Sequence, residues 1–274
     1  MCLYTRMVKN PKYLPNKKNK GVPPICTDER TRYIPVGCGD CMECRLKKQR
    51  EWKVRMMEEI RTDKTGKFVT LTFSEEELKK LEKIAKTKEA NTVAKKAVRL
   101  FLERWRKKYK KSVKHWLITE LGHKNTERLH LHGIIFTEKT KEEIEERWQY
   151  GIVDVGYSMG ERCVNYVMKY VTKTDNDHKG FVGRILVSKG IGKSYIEGTN
   201  KRVNKYEEGK TDETYRLQNG CKIALPTYYR NKIYTEEERE KLWIEKIEKD
   251  ELYALGSSVF PSSYLFTLLF VPSM

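Results

Sequence analysis

Two runs with the composition of β-strands, VKHWLITELG (113–122) and RLHLHGIIF (128–136), stand on either side of a short polar connection. Alternating apolar and polar residues bounded by turn formers describe strands, and so short a connection joins them as an antiparallel hairpin. The hairpin commits the chain to an antiparallel sheet and decides where its side chains go. Residues at i and i+2 of a strand share a face, so His130 and His132 are neighbours on one face while Leu129 and Leu131 share the other.

The flanking sequence supplies more elements. KFVTLTFS (67–74) is a third strand, and CMECRLKKQREWKVRMMEEIRTD is a basic helix ending near Gly66. Ser74 with Glu77 is a capping-box signature opening a charged helix to about Lys88. A helix over 91–111 carries Val98, Leu102 and Trp105 at helical spacing. Thr140 with Glu143 caps another to about Tyr150. GIVDVGYS is a short strand, GERCVNYVMKYVTK a helix and EEEREKLWIEKIEKDELY a late helix. Helix pairs inserted between antiparallel strands predict an α+β sandwich with one helix-covered face. Residues 1–37, with PNKKNKGVPP, read as an extended basic arm, and 175–234 show few periodic signals. The expected division is a basic, Cys-rich segment and helix over 1–62, a domain over 63–234, and a helix with an apolar tail over 235–274.

A net charge of +18 with 34% charged residues points to a polyanionic partner, nucleic acid or an anionic membrane. Charge runs are ordinarily solvated helix faces. RLKKQR and RWRKKYKK lack acidic residues, however, and Trp and Tyr stand within or beside them, which suits stacking and phosphate pairing on single-stranded DNA. Arg45, Lys47, Lys48, Arg50, Arg106, Lys107 and Lys108 are the candidate contacts. MCLYTRMVKNPKY carries charge where a secretion signal would be apolar, so an intracellular protein is expected. The apolar tail SSVFPSSYLFTLLFVPSM is too short, and too broken by Pro261 and Pro272, to span a membrane. No membrane partner is expected.

Three constellations carry chemistry. On the helix over 160–173, Val164, Val167, Met168 and Val171 form one stripe, leaving Tyr166 and Tyr170 nearly opposite with Lys169 and Lys173 beside them. Such tyrosines are either rings packed at an edge or hydroxyls facing chemistry. A phenolate stabilised by a cation is a nucleophile towards phosphorus. His130 and His132 are either a polar cross-strand pair or two metal ligands, with Glu120 near the end of the preceding strand as the third. Cys38, Cys41 and Cys44, spaced C-x2-C-x2-C, are either reduced structural thiols or zinc ligands, with Cys26 or Cys2 completing four thiolates. GRILVSKGIGKS ends like a phosphate loop but has Val187 where that loop needs its first glycine, which argues against an ATPase.

The order FVTLTFS, HLHGIIF, NYVMKYVTK resembles the HUH rolling-circle replication initiators, over residues 1 to about 175. The Tyr-x-x-x-Tyr-x-x-Lys form is similar to the two-tyrosine initiators of small single-stranded DNA phages. The stretches MCLY, NPKY, CGDCMECR and REW, with the later YRLQNGCKIALPTYYRNK, resemble microvirus initiators of the gokushovirus and Bacteroidetes-associated groups. The resemblance implies an HUH endonuclease fold, a central antiparallel sheet flanked by helices with a Cys-rich N-terminal extension. It implies a phage replication initiator that nicks origin DNA in the host cytoplasm. His130, His132 and Glu120 would hold Mg2+ or Mn2+, and Tyr166 or Tyr170 would form a 5′-phosphotyrosine supported by Lys173 and Lys169. The partners would be single-stranded and replication-origin DNA, with a host helicase and polymerase. A non-catalytic, zinc-containing single-strand binder, or an HUH transposase or relaxase, are the competing readings.

Overall fold

The structure, a computed structural model, describes residues 2–122, 128–156, 160–173, 175, 177–178 and 180–256, the last seven of these without side chains. Two compact units emerge: residues to 3 with 39–199, and residues 4–38 with those from 200 onward. In chain order the elements are β1 (Arg6–Lys9), β2 (Tyr33–Val36), α1 (Met42–Thr62), β3 (Gly66–Thr72), α2 (Glu75–Ala85), α3 (Ala90–Tyr109), β4 (Lys114–Leu121), β5 (Leu129–Phe136), α4 (Lys141–Trp148), β6 (Val153–Val155), α5 (Glu161–Thr172), β7 (Ile185–Val187), α6 (Ser194–Glu197), β8 (Thr214–Arg216), β9 (Lys222–Ala224), α7 (Thr227–Ile233) and α8 (Glu236–Gly256).

The first unit is built on a five-stranded sheet in the order β6-β3-β5-β4-β7, with every neighbouring pair antiparallel. The hairpin strands pair as the alternation requires, and the turn between them, with His123, lies in 123–127, outside the described residues. Thr140 and Glu143 form a reciprocal capping box on α4, and the Ser74 hydroxyl accepts from the Glu77 backbone N–H at 3.3 Å to open α2.

Helices cover both faces of this sheet, not one. Leu71, Leu117, Leu131 and Ile135 pack against Leu81, Phe101, Trp105 and Trp148 of α2, α3 and α4. Trp116, Ile118 and Ile134 pack on the other side against Met56 of α1 and Val164, Val167 and Met168 of α5. The reason is in the strands themselves, where both alternating sets are apolar for most of their length, as buried strands require. Gly133 stands mid-sheet between Val69 and Leu117. A Cβ there would meet the Trp116 carbonyl oxygen at 2.1 Å, so only glycine lets the strands close.

His115 is buried against the α3 side, its Nδ1 3.1 Å from the Val113 carbonyl oxygen and 2.9 Å from Ser188 Oγ. Burial pushes its imidazole below the usual range, and the bond to Val113 opposes this only in part. The unfolded chain therefore binds the proton first as pH falls. Stability from the neutral ring is complete above the unfolded value of about 6.5 and is lost as pH drops towards the folded one. Urea melts at about pH 7.5 and 5.5 are expected to show a steeper loss in wild type than in His115→Gln. Equal slopes would remove this role.

In the second unit residues 4–38 are a folded segment, not an extended arm. β1 and β2 pair antiparallel. The asparagines that looked like linker composition close the turns: Asn16 Oδ1 accepts from Lys18 N–H at 2.8 Å, and Asn19 Oδ1 from Asn16 N–H at 2.9 Å. The Tyr13 hydroxyl donates to Glu240 of α8 at 3.0 Å, and Lys12 pairs with the same carboxylate. β8 and β9 form a separate hairpin. The apolar tail, 257–274, lies outside the described residues. Among the described residues no helix is long and apolar enough to cross a membrane.

Candidate active site

Register assembles the site at one end of the hairpin. Glu120 lies directly opposite His130 and Ile118 opposite His132, while Thr72 and Thr70 of β3 face the same two histidines from the other side. The side chains of these residues share the α1/α5 face, because the period of a strand is two. His132 Nδ1 is 3.1 Å from Thr70 Oγ1, and its Nε2 is 2.7 Å from Glu120 Oε2. Lys173, at the C-cap of α5, pairs with the other Glu120 oxygen.

Burial alone would raise the Glu120 carboxyl, but His132 and Lys173 outweigh it and hold the group below the usual carboxylate range. Burial, with His132 beside it, pushes His130 below the usual imidazole range despite the pull of Glu120. A neutral imidazole is the form that binds a metal. The backbone carbonyl of Arg128 engages the His130 ring and Thr70 the His132 ring, which orients each and leaves a second nitrogen for another partner. Two imidazoles and a carboxylate fit a divalent cation as a donor set. In the present conformation the three donor atoms do not all lie within 4.8 Å of one another, and Glu120 is engaged by His132 and Lys173.

The apolar stripe of α5 is as the spacing requires, with Val164, Val167, Met168 and Val171 buried. The tyrosines do not stand opposite it in open solvent, however. They lean over the sheet end, Tyr170 stacked on His132 at 4.5 Å and 12° and Tyr166 edge-on to Phe68 at 5.5 Å. Their hydroxyls are 3.0 Å apart. Tyr166 is 47% exposed, so the pair is open to a ligand from one side. Burial, the hydrogen bond from Tyr166 and the charge of Glu120 all push the Tyr170 phenol well above its usual range. It rests as the neutral phenol until a cation or phosphate changes its surroundings. Lys169 and Lys173 stand 5.9 Å from the ring centres of Tyr166 and Tyr170 respectively.

Thr70, Phe68 and Gln49 escaped the sequence reading. Phe68 and Thr70 were legible as the face of KFVTLTFS that alternates with Val69 and Leu71. Gln49 Nε2 donates to the Met168 carbonyl at 2.9 Å and to Thr172 Oγ1 at 3.2 Å, a contact no local pattern announces.

Cys2, Cys38, Cys41 and Cys44 converge, their sulfur atoms all within 4.8 Å of one another. Cys26 is not the fourth member. Its thiol donates to the Asp28 carbonyl at 3.1 Å instead. The basic candidates do not form one surface. Arg45, Lys47, Lys48 and Arg50 lie on the first half of α1, while Arg106, Lys107 and Lys108 end α3 on the opposite side of the sheet. The aromatics of RWRKKYKK are not stacking platforms either. Trp105 is buried in the core, and Tyr109 packs on it at 4.8 Å with its hydroxyl donating to Glu143. Helical spacing pointed both rings inward (Trp105 was already counted on the apolar stripe), and that requirement prevailed over their basic neighbours. In GRILVSKGIGKS the Gly192 N–H donates to the buried Glu59 carboxylate at 2.6 Å, so an acid stands where a phosphate would.

Residues 66–175, the segment holding the sheet strands β3 to β6 and the tyrosine helix, match a family model described as a replication-associated protein of the ORF2 kind. Over 256 residues the chain is 27% identical to the replication-associated protein ORF2 of Spiroplasma virus 4, covering 78% of this chain and 77% of that protein. Over 259 residues it is 27% identical to the replication-associated protein VP4 of Bdellovibrio phage phiMH2K, covering 80% of this chain and 75% of that one. No solved structure gives a significant match. The similarity runs through the segment that carries both histidines, Glu120 and both tyrosines, and it supports a replication initiator of the rolling-circle kind.

Proposed function

We propose that the protein initiates and terminates rolling-circle replication of a circular single-stranded phage DNA, as a site-specific endonuclease and strand transferase of the HUH, two-tyrosine type. The observation that carries the reading is the pair of tyrosine hydroxyls 3.0 Å apart above His132, with Lys173 and Glu120 at the same sheet end. The names of the similar proteins supply the setting, replication and therefore DNA. The microvirus assignment rests on the N-terminal resemblance, and the host cytoplasm follows from a phage setting.

A phenolate oxygen of Tyr166 or Tyr170 attacks the scissile phosphorus, forming the phosphotyrosine bond as the bond to the 3′ oxygen breaks. The proton lost from the phenol balances the one gained by the leaving hydroxyl. Lys173 is placed to release Glu120 and meet the phosphate or phenolate charge, and Lys169 flanks the outer ring. When bound by His130, His132 and Glu120, Mg2+ or Mn2+ would supply Lewis-acid polarisation of the phosphate. The exposed bases of α1 and α3 hold the backbone of single-stranded and origin DNA, and host helicase and polymerase would extend the free 3′ end.

Incubation of the full chain with circular single-stranded genomic DNA and Mn2+ tests this. A denaturant-resistant protein–DNA adduct is expected. Tight binding without any adduct would favour a non-catalytic single-strand binder.

A further inference from the structure

We propose that Cys2, Cys38, Cys41 and Cys44 hold one structural Zn2+ that fixes the first turn of α1 and, through it, the position of the tyrosine helix α5. The geometry is specific. A tetrahedral zinc with Zn–S bonds of about 2.3 Å has sulfur–sulfur edges of about 3.8 Å. Cys2 Sγ and Cys41 Sγ are 3.8 Å apart, far beyond the roughly 2.05 Å of a disulfide. All four sulfurs fit inside 4.8 Å, and each cysteine is half-buried.

The chain makes this convergence by identifiable means. Gly39, at φ +89°, turns the backbone between Cys38 and Cys41, a conformation that other residues rarely adopt. Cys41 is the N-cap of α1 yet makes no side-chain capping bond, so its sulfur is directed elsewhere. The amino end of a helix favours thiolate over thiol, which suits Cys41 and Cys44 in its opening turn. Four thiols give up four protons on binding Zn2+, leaving a centre of net charge −2. Arg45, one turn beyond Cys41, has a buried Nε with no hydrogen-bond partner, and Lys48 stands one turn beyond Cys44. An anionic centre nearby accounts for cations at these positions.

The consequence runs along α1. Gln49, two turns on, holds the last turn of α5 through Met168 and Thr172, and Met56 and Ile60 pack with Val164, Val167 and Met168. Without metal the opening turn of α1 has no side-chain cap, and the support of α5 loosens from that end. This inference concerns metal binding and helix order. It stands or falls separately from the nicking chemistry.

Elemental analysis of the full chain, purified without chelator, is expected to find one zinc per chain. Cys26→Ser and Cys221→Ser retain it, whereas the Cys41→Ser/Cys44→Ser double variant loses it. Co2+ added to the wild-type chain after zinc removal should give the visible absorption and sulfur-to-cobalt charge-transfer bands of tetrahedral thiolate ligation. That measurement holds even where the double variant fails to fold. Amide exchange of wild type should rise on the order of tenfold on chelation in 42–49 and in the last turn of α5, with β5 unchanged. A zinc-free protein without the cobalt bands, or zinc retained in the double variant, overturns the site. Unchanged exchange in α5 overturns the positioning role.

Discussion

The variant carrying both Tyr166→Phe and Tyr170→Phe is expected to form no covalent adduct with origin DNA, while each single variant still nicks once. The two rings occupy successive turns of one helix face, and their hydroxyls are 3.0 Å apart, so either oxygen can reach the same phosphate by a small rotation. One nucleophile suffices for one cut. Termination differs, because while one tyrosine holds the 5′ end, the second must cut the regenerated origin. Single variants should therefore yield open products and few circles, and circles counted per adduct measure the difference. Phenylalanine preserves the stack on His132 and the edge contact with Phe68, so the loss is chemical, not a cavity. Peptide mapping should place the phosphate on Tyr166 or Tyr170. An adduct on Tyr150, which is buried on the α3 side and bound by Arg104 at 2.9 Å, would overturn the assignment of the catalytic helix. Tyr157, outside the described residues, would overturn it equally.

Why the site could be read so far from sequence alone is a matter of periodicity. Strand alternation fixed His130, His132 and Glu120 to one face, and the antiparallel pairing then brought Glu120 opposite His130. Helical spacing separated Val164, Val167 and Val171 from the two tyrosines. Both are local rules, and they hold wherever one face is buried.

What escaped is what depends on distant chain. The stack of Tyr170 on His132 joins residues 38 apart, and the brace from Gln49 joins α1 to α5 across 119 positions. Cys2 reached Cys41 by the same kind of return, which is why Cys2 and Cys26 were indistinguishable by spacing. The aromatics of RWRKKYKK failed for the opposite reason. A local compositional pattern suggested a DNA surface, while the 3.6-residue period already pointed Trp105 into the core.

Removal of either imidazole is the other large effect expected. His130→Ala and His132→Ala should each lower single-turnover cleavage on the order of 10³-fold, equivalent to about 4 kcal/mol of transition-state stabilisation. Affinity for non-specific single-stranded DNA should change little, since it resides in the exposed lysines and arginines. EDTA should reproduce the cleavage loss in wild type, and Mn2+ or Mg2+ should restore it. Glu120→Gln separates charge from shape: it keeps the volume but releases Lys173 and gives up the anionic donor. Its cleavage should fall, and the metal concentration for half-activity should rise. Unchanged metal dependence in Glu120→Gln would move the third ligand to another residue, His123 among them. Full wild-type cleavage in EDTA would end the metal assignment altogether and leave Lys173 as the principal cation at the phosphate.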